Sequence, residues 1–262
     1  MAPSVLLLLL LLAGCAAAAR TAVLTVAADN TLCEDAGGAL SNALSDDVFV
    51  GRTRVGLRHR GLLHFDLAPL PARARVLGAR LELQLLRAPP DDDNVTITVH
   101  RVARAWGSNA SRTDRGTCAA ATRGDATWLH TFYPDAHWAA PGGDYAANAS
   151  AAATVGFRLQ RYGWESAALA ADVQAWLRAP AANYGWLLLG DETANETAKE
   201  FASREVSLNM APMLTVTYAA PTPRVNAAAV AVPVALVVLA GLVAGLVWWR
   251  RRARSVSYTA LS

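Results

Sequence analysis

Lysine is almost missing from this 262-residue chain. Lys199 stands alone, and arginine supplies the remaining positive charge. A lysine-rich stripe of the kind that grips a polyanion is therefore excluded. Cysteine is also scarce: Cys15, Cys33 and Cys118 are all there are. The histidines, His59, His64, His100, His130 and His137, show no recurring metal-ligand spacing. The chain has no Gly-x-Ser-x-Gly, no phosphate-cradling glycine loop and no His-Glu-x-x-His. These absences exclude the common hydrolase elbow, the P-loop and the zinc-protease helix. No internal repeat is present, which removes solenoids and propellers.

Long apolar runs, by contrast, are prominent. Ala227 to Trp249 is uninterrupted by charge and is followed by Arg250, Arg251, Arg252 and Arg254. About 20 apolar residues suffice to cross a ~30 Å hydrocarbon core, and arginines flanking one end mark the cytoplasmic side. Residues 227–249 are thus expected to form a transmembrane helix, with 250–262 as a cytoplasmic tail. Residues 1–19 carry a leucine-rich run and then small residues, the pattern of a secretory signal peptide cut near Ala19. A second reading of the same stretch is a lipobox, Leu12-Ala13-Gly14-Cys15. The expected localisation is a single-pass type I protein of the plasma membrane or an endomembrane, its N-terminus extracellular or lumenal. Residues 20–220 would form the ectodomain and 221–226 a short stalk.

The formal charge is +3, with a pI near 9.0. Setting aside the tail arginines leaves the rest close to neutral, so the basic pI does not indicate nucleic acid as a partner. Four sequons, at Asn94, Asn109, Asn148 and Asn195, suit a glycoprotein. Cys33 and Cys118 form an even pair once Cys15 leaves, and in an oxidising compartment one disulfide is expected; two buried thiols are the alternative.

Between the termini the dominant period is two. Val95, Ile97 and Val99 alternate with Thr96, Thr98 and His100; Leu81, Leu83 and Leu85 alternate with Arg80, Glu82 and Gln84. Leu63, Phe65 and Leu67 alternate with Leu62, His64 and Asp66, and Leu214, Val216 and Tyr218 with Thr215 and Thr217. Each reads as a strand with one buried and one solvated face. Further strands are expected at 22–27, 47–51, 154–159, 185–190 and 200–204. The fold class is all-β, an antiparallel sandwich. One exception is Leu169, Val173, Trp176 and Leu177, whose i, i+4, i+7, i+8 spacing predicts a short helix over 166–177, ended by Pro180.

Residues 104–153 have no sustained period, and connections this long are often functional. They gather Trp128, His130, Phe132, Tyr133, Asp135, His137 and Trp138. Flat rings beside hydrogen-bonding groups suit a sugar, which has an apolar face and a polar rim; the alternative is that the rings fill a minor core. His130, Asp135 and His137 could be drawn as a metal site, but ordinary loop histidines are the favoured reading. The run Asp91-Asp92-Asp93 offers oxygen ligands to calcium or is simply a solvated turn. No other cofactor is expected.

Several segments, in order, resemble the DNRLRE-domain family. They are Arg60-Gly-Leu-Leu-His-Phe-Asp-Leu-Ala-Pro-Leu-Pro71, Ala79-Arg-Leu-Glu-Leu83 and Asp172-Val-Gln-Ala-Trp176. Asn183-Tyr-Gly-Trp-Leu-Leu-Leu-Gly-Asp191, Phe201-Ala-Ser-Arg-Glu205 and Pro212-Met-Leu-Thr-Val-Thr-Tyr218 follow. Gly124 to His130 and Pro141 to Asp144 are similar to the loop of one subgroup. The resemblance implies a jelly-roll-type sandwich and a non-catalytic, carbohydrate-binding role, for acidic polysaccharides in some members. The candidate contacts are Trp128, His130, Tyr133, Trp138, Arg58 and Arg60. His59 and Arg204 are further positive groups. A structural or adhesive protein with a protein partner is the second reading, and an enzyme acting on polysaccharide the third. In the tail, Tyr258-Thr-Ala-Leu261 fits the motif read by clathrin adaptors, with Ser255 and Ser257 as phosphorylation sites beside the arginines.

Overall fold

The computed structural model describes residues 18–89, 94–113, 118–221 and 227–257, with side chains only for 237–252 in the last stretch. Two compact units divide at Pro221. In the first, the strands are β1 (Ala19–Cys33), β2 (Leu40–Ser41), β3 (Asp47–Arg52), β4 (Arg58–Phe65), β5 (Arg75–Arg87), β6 (Val95–Arg101) and β7 (Ala119–Ala120). Then come β8 (His130–Phe132), β9 (Ala136–His137), β10 (Ala151–Val155) and β11 (Arg161–Glu165). Helix α1 (Ala167–Arg178), β12 (Trp186–Leu189), β13 (Lys199–Ala202) and β14 (Met213–Ala219) complete the unit, and α2 (Ala227–Ser257) forms the second. The chain is mostly β, its strands antiparallel.

Strand β1 is long enough to serve two layers. Its first half pairs with β14, from Ala19 opposite Ala219 to Thr25 opposite Met213. After an irregularity at Val26/Ala28 its second half pairs with β4, ending with Cys33 opposite His59. On the other side, β13 bridges β5 to β3, and β3 pairs with β4. The pairings β1–β14–β5–β13–β3–β4–β1 therefore close on themselves, leaving few exposed edges. Strands β12, β6 and β10 extend the layer beyond β4, and β11 extends the other beside β5.

The main core lies between these layers. Leu81, Leu83, Leu85, Ile97, Val99, Leu214 and Val216 are fully buried, and Thr96 on the opposite face of β6 is exposed. Period-two patterning placed these residues because a pleated strand sends alternate side chains to opposite faces. Trp164 is also fully buried and donates its Nε1–H to the Ile97 carbonyl at 2.8 Å. Its strand, β11, was not expected: Gly163 interrupts a short segment whose only β-formers are Tyr162 and Trp164. Helix α1 matches the spacing of its apolar residues. Ser166 caps it by accepting the Leu169 N–H at 2.9 Å. Leu169, Val173, Trp176 and Leu177 enter the core, and the Trp176 and Trp186 rings meet edge-on at 4.6 Å. Gln174 ties the helix to the sheet, accepting from Val76 N–H and donating to Ala74 O.

One pattern is corrected. Leu62 was expected on a solvated face, yet Leu62 and Leu63 are both fully buried, as are Leu187 and Leu188 on β12. The far face of this layer is covered by the chain between β6 and β10, which forms a second core of Leu32, Leu62, Val102, Ala126, Trp128, Trp138 and Leu187. The adjacent leucines signal this two-sided burial. The expected disulfide is present: Cys33 and Cys118 are bonded, 85 residues apart, with Cα atoms 6.5 Å from each other.

The localisation is also corrected. Among the described residues no helix is long and apolar enough to cross a membrane. The single-pass type I arrangement expected from Ala227 to Trp249 is therefore not upheld, nor is the orientation that rested on it. Residues 1–17 of the expected signal peptide and 222–226 of the expected stalk lie outside the described residues.

Gly185, just before β12, shows how closely the layer packs. Its φ is +75°, and a Cβ there would stand 2.0 Å from the Leu63 carbonyl oxygen. Gly185→Ala should cost ~2 kcal/mol or more through backbone strain and displacement of β4. Urea denaturation measures this as a lower midpoint, and an unchanged midpoint would contradict the packing described.

Candidate functional site

The covering segment has little regular structure; its backbone groups pair largely within it, as Gly107 N–H with Thr131 O, Ala126 N–H with Gly107 O and Gly142 N–H with Trp128 O, and buried polar side chains add to these bonds. Asn30, fully buried on β1, is one anchor: its Nδ2 donates to Ser41 Oγ at 3.0 Å and to Ala126 O at 3.1 Å. Its Oδ1 accepts from Thr31 N–H and Asn42 N–H. Asp125, also fully buried, is the second. One oxygen accepts from Asn109 N–H; the other accepts from Thr122 N–H and Oγ1 and, at 3.3 Å, from Ser111 N–H. Together they tie the stretch from Gly107 to Ala126 to β1 and to itself, next to Trp128.

Two guanidinium groups approach the Trp128 ring, with Arg58 Cζ 5.0 Å and Arg60 Cζ 4.9 Å from its centre. Arg60 also faces Tyr145 at 5.6 Å and donates to both oxygens of Glu192, at 2.7 and 2.8 Å. Arg58 pairs with Glu34 at 2.6 Å. Hydrogen bonding from Arg58 holds the Glu34 carboxyl below the usual range and pushes the arginine up. Gly142 packs on this stack: at φ +87° it approaches so closely that a Cβ would meet Arg60 at 2.4 Å and Trp128 at 2.8 Å. Trp138 donates its Nε1–H to Thr127 O at 3.0 Å. Trp128 and Trp138 are only 4% and 5% exposed, so neither presents an open ring face. Of the two readings of these tryptophans, the structure places them in the minor core.

His130, Tyr133 and His137 meet beside this core. The His130 ring lies 4.1 Å from His137 and 5.1 Å from Tyr133. His130 Nδ1 is engaged by Thr127 Oγ1 and Gly38 O. Burial and then the neighbouring His137 keep its pKa below the ordinary value. Asp135 is paired with Arg123 instead of turning to the histidines. Among the described residues the one cluster with metal-ligand geometry is elsewhere, at Cys33, His59 and Cys118. Asp91 to Asp93 lie outside the described residues, as do Tyr258, Leu261 and the side chains of Ser255 and Ser257. Arg204 lies apart from Trp128, its guanidinium donating to Ala27 O.

The cover stops short of one end of the sheet face. There a cleft of about 920 Å³ opens, with Thr96, Thr98 and Leu189 along it, Asn94 and Pro89 on one side, and Asp191, Asn195, Glu196 and Arg54 on the other. The turn between β12 and β13 forms the second wall and is tied to β3 through Thr197 N–H and Ala198 N–H, both donating to Arg52 O. Asp191 accepts from Thr193 Oγ1 and N–H at 2.6 and 2.8 Å, which lowers its pKa. Glu196 takes a left-handed φ of 63°. All four sequon asparagines are exposed, and two of them, Asn94 and Asn195, line the cleft. Asn109 differs in that its Nδ2 donates to Arg123 O at 2.7 Å. Sequence reasoning missed the cleft because Thr96 and Thr98 read as an ordinary solvated face. Nothing local shows that residues 54, 96 and 196 converge.

No protein-family model and no curated protein matches the chain.

Two tests follow from these buried groups. Trp128→Ala should destabilise the unit by ~3–5 kcal/mol through lost burial and a cavity, seen in urea denaturation; full stability with altered ligand binding would instead mark an exposed platform. Asp29, fully buried with one oxygen unpartnered, has its pKa raised by burial from 3.8 to about 7. Its carboxyl is protonated in the folded state while the unfolded chain ionises near pH 4. Its contribution is therefore most favourable below pH 4 and declines as pH rises to about 7. Asp29→Asn should consequently gain stability relative to wild type between pH 4 and 7.5, and denaturation midpoints across that range measure the difference.

Proposed function

We propose that the chain is a non-catalytic carbohydrate-binding protein whose ligand lies in the cleft between β6 and the β12–β13 turn. The observation that carries this is the cleft itself: an open groove with Leu189 beside Thr96 and Thr98 along its floor and Pro89 on one wall, among hydroxyl, amide and carboxylate groups. A sugar presents a similar pairing of apolar ring face and hydroxyl perimeter. Asp191 and Glu196 oppose a single guanidinium, Arg54, which favours a neutral, hydroxyl-rich glycan over an acidic one. A hydrolase needs a carboxylic acid with a raised pKa, whereas that of Asp191 is lowered by Thr193. The ordered motifs resembling DNRLRE domains support the same reading, together with a jelly-roll-type arrangement of the two layers. The candidate contacts move accordingly. Arg54, Thr96, Thr98, Asp191 and Glu196 replace Trp128 and Trp138, while Arg58 and Arg60 support the fold beneath.

A protein-binding, adhesive role is the second reading. It is favoured by Phe157 and Leu159, 62% and 64% exposed in the turn between β10 and β11, and by Val55, 79% exposed between β3 and β4.

A glycan array with the full chain, produced without N-glycans so that Asn94 and Asn195 leave the cleft open, tests the proposal. Binding to neutral oligosaccharides is expected. Thr96→Tyr, which fills the groove, and Arg54→Ala should each weaken it at least tenfold without changing the near-ultraviolet circular dichroism. No binding to any glycan, or binding indifferent to both substitutions, would overturn the reading.

A further inference from the structure

The Cys33–Cys118 disulfide does not stand alone. Cys33 ends β1, His59 lies opposite it on β4, and Cys118 precedes β7. One imidazole nitrogen of His59 and the two sulfurs all lie within 4.8 Å of one another. His59 is 8% exposed, and its Nδ1 is buried without a hydrogen-bond partner. A buried polar atom left unsatisfied in a folded protein calls for a reason. Glu34 is the acidic group that faces the imidazole, but both of its oxygens are taken by Arg58. No hydrogen bond joins it to the imidazole.

We propose that Cys33, Cys118 and His59 form a three-ligand site for zinc(II) when the disulfide is reduced, so that this corner of the fold exchanges a covalent clasp for a metal one. The chemistry balances with a dithiol as reductant. The S–S bond of the pair and two reductant S–H bonds break, the reductant closes its own disulfide, and its two protons pass to Cys33 and Cys118. Zinc then displaces both protons to solvent and gains two Zn–S bonds and one Zn–N bond. Tetrahedral zinc with Zn–S near 2.3 Å holds its sulfurs about 3.8 Å apart. Parting the sulfurs by that amount is a matter of side-chain rotation, because the Cα atoms already stand 6.5 Å apart. Two ligands come from adjacent paired strands and the third from the covering segment, so the site is pre-formed on its rigid side. Cys33 is buried and Cys118 half-exposed, which leaves the fourth position to a water on the Cys118 side.

The full chain would be reduced with a dithiol, freed of it anaerobically, and titrated with cobalt(II) as a spectroscopic stand-in and then with zinc. One equivalent of cobalt should give a near-ultraviolet thiolate-to-cobalt charge-transfer band, which zinc displaces, and the oxidised chain should give none. His59→Leu should weaken cobalt binding at least tenfold. The same band in the oxidised chain, no band in the reduced chain, or equal affinity in His59→Leu would overturn the proposal. If reduction alone loosens the fold, metal should restore the near-ultraviolet dichroism of buried Trp164 and Trp186. Failure to restore it would also overturn the proposal.

Discussion

The layer containing β4 and β12 must be kept dry on both faces. Leu63 and Leu188 point into the space between the layers, and Leu62 and Leu187 point away from it. Apolar side chains on the outward face stabilise the unit only if something removes them from water. Here the cover is an irregular segment of nearly fifty residues, which brings its own difficulty: unpaired backbone groups against an apolar surface cost ~1–3 kcal/mol each. Backbone bonds within the cover, such as Ala126 N–H to Gly107 O and Trp138 N–H to Leu129 O, answer much of that need, Asn30 and Asp125 add side-chain hydrogen bonds, and the Trp128 ring beside Arg58 and Arg60 closes the surface. The polar anchors and the cation–ring stack follow from the two outward leucines.

This explains why the fold was more legible than the site. Val95, Ile97 and Val99, or Leu169, Val173 and Trp176, announce their surroundings through local period, because the geometry of a strand or helix fixes which face each occupies. Ser166 and Pro180 bracket α1 for equally local reasons. Trp128 and Trp138 carry no such signal. A ring in an irregular segment can lie over a core or over a ligand, and the difference is decided by Leu62 and Leu187, distant in sequence. Leu62 was assigned to a wet face because alternation presumes that one face of a strand meets solvent. The cleft was invisible for a similar reason: Arg54, Thr96 and Glu196 are unremarkable polar residues until the strand order brings them to one end of the sheet.

Cover and cleft divide one surface between them. Where the cover reaches, aromatic rings and arginines serve cohesion; where it stops, Thr96, Thr98 and Leu189 remain accessible on the same strands. The cleft so placed inherits the rigidity of paired β-strands along its floor, while the β12–β13 turn supplies a wall secured to β3. The disulfide fastens the start of β7 to the end of β1, so the cover is attached covalently on the side away from the main core.

The pairing of Ala19 with Ala219 has a mechanical meaning. The first and last strands of the domain run antiparallel with these two residues in register, so the flanking chain leaves from neighbouring points. Tension applied through both ends would open the β1–β14 pairs one after another, as a zipper opens, with no row of bonds loaded together in shear. The irregularity at Val26/Ala28 is where that opening would halt, because beyond it β1 belongs to the other layer. The domain would lengthen by one peeled segment while the β4 layer and the cleft remained folded.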